Sequence, residues 1–94
     1  MNFHTFRNLV AAETEWARAN HPDYHSTHEG AAVLLEEVDE MWDAIKDDDD
    51  CALALELVQV VAVAERMIEV LVPDDAQDFV EGYQRSRTQP KGTP

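Results

Sequence analysis

Ninety-four residues make one domain's worth of chain, too short to bury a thick core, which predicts that copies of the chain associate. Apolar residues at 45% and charged residues at 29% exclude an intrinsically disordered chain, and a formal charge of −13 argues against a nucleic-acid partner, whose backbone such a surface repels. All twenty acidic residues precede position 82, while Arg85, Arg87 and Lys91 supply three of the seven basic ones, so divalent cations are the natural counter-partners of the folded part.

From Phe3 to about Ala19, the apolar residues Phe3, Phe6, Leu9, Val10 and Trp16 recur at near-helical spacing and predict a first helix. Pro22 removes a backbone donor and pushes its predecessor out of helical geometry, so Asn20 to Asp23 read as a break. Ser26 followed by Glu29 is a capping box that starts a second helix running to about Lys46, on which Leu34, Val38, Met41, Trp42 and Ile45 form one stripe. Asp47 to Asp50 lack the glycine and the late glutamate of a calcium loop, and read as a solvated turn that favours the start of the next helix.

The third helix, about Cys51 to Leu71, is apolar almost all round, so it is expected to be central or to lie at an oligomer interface. Its polar residues Glu56, Gln59, Glu65, Arg66 and Glu69 argue against a membrane span. Pro73 ends it, Asp74 or Asp75 can cap a short fourth helix carrying Phe79, Val80 and Tyr83, and Arg85 to Pro94 is expected to be a mobile tail. The predicted architecture is all-α: an antiparallel helical hairpin core of three long helices plus a short C-terminal helix, completed by oligomerisation. It implies a single domain over 1–83 and a flexible basic tail over 84–94. The lone Cys51 and the lack of a secretory leader point to a cytoplasmic location.

Single charges on helices usually face solvent, so the informative carboxylates are those on or beside apolar faces. Glu37 lies between Met41 and Ala44 on the wheel, Glu40 lies beside Val33, and the two are surface neighbours. Glu56 sits among Val60, Val63 and Met67, where a carboxylate must be protonated, paired or metal-bound. Gln59 follows one turn later on the same side, and an antiparallel hairpin would bring Glu37, Glu40 and Glu56 to one cleft. The plainer alternative is a solvated helix face with Glu56 neutralised by Arg66 or by a partner subunit.

The run Leu35-Glu36-Glu37-Val38-Asp39-Glu40, followed after a short loop by Glu56-Leu57-Val58-Gln59, resembles the EExxE and ExxD helix pair of the MazG-like all-α nucleoside triphosphate pyrophosphohydrolases, relatives of the dimeric dUTPases. The resemblance covers about Trp16 to Leu71 and departs at Gln59, where the family has aspartate; an amide oxygen still ligates a hard cation but brings no charge. It implies Mg²⁺, with Mn²⁺ as a substitute, held by Glu37, Glu40, Glu56 and a weakened Gln59, and Glu36 as an outer ligand or a base orienting the attacking water. The substrate would be a ribo- or deoxynucleoside triphosphate, cleaved to monophosphate and pyrophosphate by a homodimer or homotetramer.

Lys46 and Arg66 are the nearest cations for the phosphates, although Lys46 also suits a plain helix C-terminus. Trp16 is either a core aromatic or a base-stacking surface. His28, clustered with His21 and His25, either belongs to a polar, helix-capping loop or edges the nucleotide pocket; without a second cysteine a zinc site is not expected. A second functional class fits the same sequence: a catalytically silent helical oligomerisation or regulatory protein that keeps the fold without the full site.

Overall fold

The computed structural model describes residues 1–88, which form four helices and no strand: α1 (Phe3–Asn20), α2 (Thr27–Lys46), α3 (Asp50–Leu71) and α4 (Ala76–Thr88). Each of the first three begins at a side-chain cap. The Asn2 side chain accepts from the Thr5 amide at 2.8 Å, Ser26 Oγ from the Glu29 amide at 3.1 Å, and Asp49 from the Ala52 amide at 3.0 Å. The ends follow the prolines: His21 before Pro22 and Val72 before Pro73 both adopt extended backbone, and their helices stop there. Between α2 and α3, Asp48 turns the chain with a φ of 56°, a left-handed conformation that aspartate tolerates better than most residues.

The α3 helix lies at the centre, packed on α2 and on α1, as its all-round apolarity leads one to expect. Helices α2 and α3 form an antiparallel hairpin. Near its open end Gly30 is buried so closely that a Cβ there would lie 3.0 Å from Leu71 Cδ1 and 3.1 Å from Met67 Cγ, so a larger residue would require those side chains to shift. Against the other side of α3, α1 runs parallel to it. The Thr14 hydroxyl donates to Glu65 Oε2 at 2.9 Å, and one turn on, Arg18 Nε donates to Glu69 Oε1 at 2.9 Å.

The resulting core is thin. Val10, Ala44, Val58, Ala62 and Val63 are its only buried apolar residues among those described, and no large side chain is fully enclosed. The radius of gyration is 16.2 Å, against roughly 12 Å for a compact domain of this length. Part of the excess comes from α4, which packs against none of the other three helices and leaves Phe79 80% exposed.

One expectation changes here. Residues 84–88, assigned by the sequence to a mobile tail, continue α4 as helix. They do so without burial, through local contacts: Gln77 donates to Glu81 at 2.7 Å, Arg87 donates to the Tyr83 hydroxyl at 3.0 Å, and the arginines sit at the end where the helix dipole favours positive charge. Residues 89–94, the rest of that tail, lie outside the described residues.

Candidate metal centre and adjoining cleft

The antiparallel pairing of α2 and α3 sets the register that matters for chemistry. With Gly30 opposite Met67 and Leu71, the residues about two to three turns further down α2 meet the first half of α3. There Glu37, Glu40 and Glu56 come together, each offering a carboxylate oxygen so that the three atoms lie within 4.8 Å of one another. Glu40 is exposed, whereas Glu37 and Glu56 are half-buried.

Among the described residues no lysine, arginine or histidine forms an ion pair with any of the three. Arg66 does not neutralise Glu56; its guanidinium donates instead to the Pro22 carbonyl at 3.1 Å and lies over the Tyr24 ring at 4.8 Å. Among the described residues, Glu56 Oε2 is buried with no hydrogen-bond partner. Like charges at this spacing raise one another's proton affinity. Burial, and then the neighbouring Glu56 and Glu40, push the Glu37 carboxyl up to about 7, while Glu40 is raised chiefly by Glu56.

Such a cluster needs a proton or a cation to relieve it. Three oxygens from separate carboxylates suit a hard divalent ion that keeps several of its waters. The residues present therefore fit Mg²⁺ or Mn²⁺.

Beside the triad opens a cleft of about 330 Å³ between α1, the α1–α2 linker, α2 and α3. Glu37 belongs to both the triad and the cleft wall. The Gln59 side chain also lines the cleft, as does Arg66, which is only 4% exposed. Glu29 shows why its capping box is half-formed. Its amide is capped by Ser26 and the residue borders the cleft, but among the described residues its carboxylate makes no hydrogen bond back to the Ser26 amide.

The remaining sequence candidates lie further out. Glu36 is exposed and, one residue from Glu37, is turned about 100° away from it around the helix. Lys46 pairs with Asp43 at 3.1 Å and, nine residues beyond Glu37, projects from the opposite side of α2. Trp16 is 54% exposed, not a core residue, and stands edge-on to His21 with 5.3 Å between ring centres; it borders a second groove that shares Glu13 and Gln59 with the cleft. His28 is exposed in the first turn of α2 and does not line the cleft.

Of the three linker-region histidines, His21 is the one that reaches the cleft, together with Tyr24 and Glu13. Sequence spacing gave no sign of Glu13 or Tyr24, because their positions depend on how α1 and the linker close over α3. Among the described residues no helix is long and apolar enough to cross a membrane. No protein family, curated protein or solved structure matches this chain.

Proposed function

We propose that this protein is a Mg²⁺-dependent nucleoside triphosphate pyrophosphohydrolase of the MazG-like kind, acting as a homo-oligomer in the reducing cytoplasm that the unpaired Cys51 suits. The observation that carries the reading is the meeting of Glu37, Glu40 and Glu56, brought by two helices to one place without a basic partner and with one buried oxygen left unsatisfied. A divalent cation held by these carboxylates would supply screening of phosphate charge and activation of a water, the chemistry that hydrolysis of a nucleoside triphosphate to monophosphate and pyrophosphate requires.

The chain's own residues divide the remaining work. Glu37, Glu40 and Glu56 would hold the ion, and Gln59, one turn beyond Glu56, would offer an uncharged oxygen. Glu36, exposed and turned about 100° from Glu37 around the helix, would act as an outer base reached through water. Because Lys46 and Arg66 are engaged elsewhere, the phosphates depend on the cation for most of their neutralisation.

Association is supported by the side of the hairpin away from the cleft. Leu35, Trp42 and Ile45 of α2 and Leu57 and Ile68 of α3 are all exposed there, and burying such side chains contributes roughly 1.5–3 kcal/mol each.

The test is a pyrophosphate-release screen over ribo- and deoxynucleoside triphosphates with Mg²⁺ or Mn²⁺, run beside Gln59→Asp. Release should require the metal, and the added carboxylate should raise it. Absence of millimolar-range Mg²⁺ and Mn²⁺ binding by calorimetry would remove the enzymatic reading and leave a silent helical assembly protein.

A further inference from the structure

Helix α4 is the one element without a neighbour. Among the described residues it packs against none of the other three helices, and Phe79, Val80 and Tyr83 on one of its faces are 80%, 50% and 55% exposed. With 13 residues it is near the length, roughly 12–15 residues, below which an isolated helix is marginal in water, so it gains from a partner. The elbow joining it to α3 is ordered: the Ala76 amide donates to the Pro73 carbonyl and the Gln77 amide to the Asp74 carbonyl, both at 3.1 Å. These bonds carry α4 away from the hairpin and leave its apolar face open to another chain.

Three features of α4 match a second copy of itself. Its residues at coiled-coil spacing, Ala76, Phe79, Tyr83 and Ser86, read alike in both directions: small, large, large, small, at intervals of three, four and three. Two such stripes run antiparallel, with their midpoint level with Glu81, set Phe79 against Tyr83 of the second copy and Ala76 against its Ser86. Charge is also polarised along the helix. Asp74, Asp75, Asp78 and Glu81 occupy the start with no basic residue among them, and Arg85 and Arg87 occupy the end. Antiparallel pairing lays each acidic start beside a basic end, whereas parallel pairing would set like charges side by side.

The third feature is Gly82. Glycine inside a helix costs about 1 kcal/mol relative to alanine, yet among the described residues a Cβ there would meet only Arg85 Nη2, at 3.8 Å. The packing of a single chain makes no use of the missing side chain. In the antiparallel pair Gly82 flanks the seam beside the two-fold axis, where it lets its backbone approach the same residue of the second copy.

We infer that α4 pairs antiparallel with α4 of a second copy, about a two-fold axis level with Glu81. The pairing rests on the homo-oligomer reading and is independent of hydrolysis. Two helices about 20 Å long cover less than the roughly 1,000 Å² that a stable interface needs, so the pair reinforces an assembly built through the apolar flank of the hairpin and does not hold by itself.

The test is disulfide trapping in the full chain, with the free, exposed Cys51 replaced by serine. Val80→Cys, near the axis and beside the seam, should form a cross-linked dimer roughly tenfold faster than Glu81→Cys on the outer face of the helix. Ala76→Cys chains mixed with Ser86→Cys chains should cross-link to each other in preference to themselves. In sedimentation experiments Phe79→Glu should weaken association roughly tenfold or more, with circular dichroism confirming that α1, α2 and α3, which α4 does not touch, stay folded.

Equal rates for Val80→Cys and Glu81→Cys, Ala76→Cys chains that cross-link chiefly to themselves, or undiminished association of Phe79→Glu would each overturn the inference. Chains that associate without these cross-links keep the homo-oligomer and lose the α4 pair. Chains that stay monomeric and do not cross-link lose both.

Discussion

The two flanks of the α2–α3 hairpin differ more from each other than either does from a typical protein surface. On one side Glu29, Glu37, Glu40 and Glu56 face a cleft and a cluster of mutually repelling carboxylates. On the other, Leu35, Trp42, Ile45, Leu57 and Ile68 present apolar side chains to solvent. Neither flank is at a free-energy minimum for an isolated chain: the first lacks compensating positive charge and the second lacks cover. The same backbone supports both because a helix of period 3.6 gives each flank its own set of positions, so one can carry charge while the other stays apolar.

The largest effect should come from removing the charged flank's central member. Glu56→Gln should lower metal-dependent pyrophosphate release by more than about a hundredfold, since charge stabilisation by the ion is worth several kcal/mol. Glu56→Leu should also abolish Mg²⁺ binding and yet make the metal-free protein about 1–2 kcal/mol more stable to urea, because a buried oxygen without a partner is replaced by an apolar side chain. A destabilised Glu56→Leu would mean that the carboxylate has a structural partner, and the contrast between the flanks would weaken.

The apolar flank is broken in the opposite way. If copies associate through this flank as proposed, Trp42→Glu combined with Ile68→Glu should yield a monomer in sedimentation experiments, with a loss of about 2 kcal/mol or more for each site that association would bury. An unchanged sedimentation coefficient would show that the chain associates through another surface or not at all. Gly30→Val tests the hairpin that separates the flanks: with Leu71 and Met67 only 3.0–3.2 Å from an added Cβ, it should cost about 1–3 kcal/mol and loosen the triad as well.

A pH series sharpens the charged side. The Glu37 carboxyl, ordinarily near 4.5, titrates at about 7 in the folded chain, so folding favours its protonated form. That contribution is fully present below about pH 4.5 and is lost as pH rises through about 7. The melting temperature of the metal-free protein should therefore fall over this window more steeply than that of Glu37→Gln. Mg²⁺ should bind better as the proton leaves. Equal slopes for the two proteins would show that the carboxylates do not share protons. The smallest effect belongs to the turn: Asp48→Gly relieves a left-handed residue and should stabilise the hairpin by roughly 0.5 kcal/mol while leaving metal binding unchanged.

Much of this was legible in the residues. Ser26 marks a helix start by hydrogen-bonding chemistry that acts within four residues, and Pro22 and Pro73 mark ends by local sterics, whereas the Asp49 cap inside the acidic turn emerged only in the structure. The apolar surroundings of Glu56 likewise follow from spacing alone. The extension of α4 to Thr88 escaped because apolar periodicity was the guide, whereas that last turn is held by Tyr83, Arg87 and the dipole. Trp16 was misleading for the related reason that helical spacing identifies a stripe without saying whether another helix covers it.

The sequence by itself determined where four helices begin, where the first three end, and which carboxylates lie on or beside apolar faces, since these are properties of short stretches of chain. Tertiary structure alone decided that Glu13, Glu29 and Glu37 share a cleft, that Arg66 braces the linker and leaves Glu56 unpaired, and that one apolar flank remains bare. The physical reason is distance along the chain: such groups meet only through the relative placement of separate helices, which is set by close packing at positions such as Gly30 and not by any local preference.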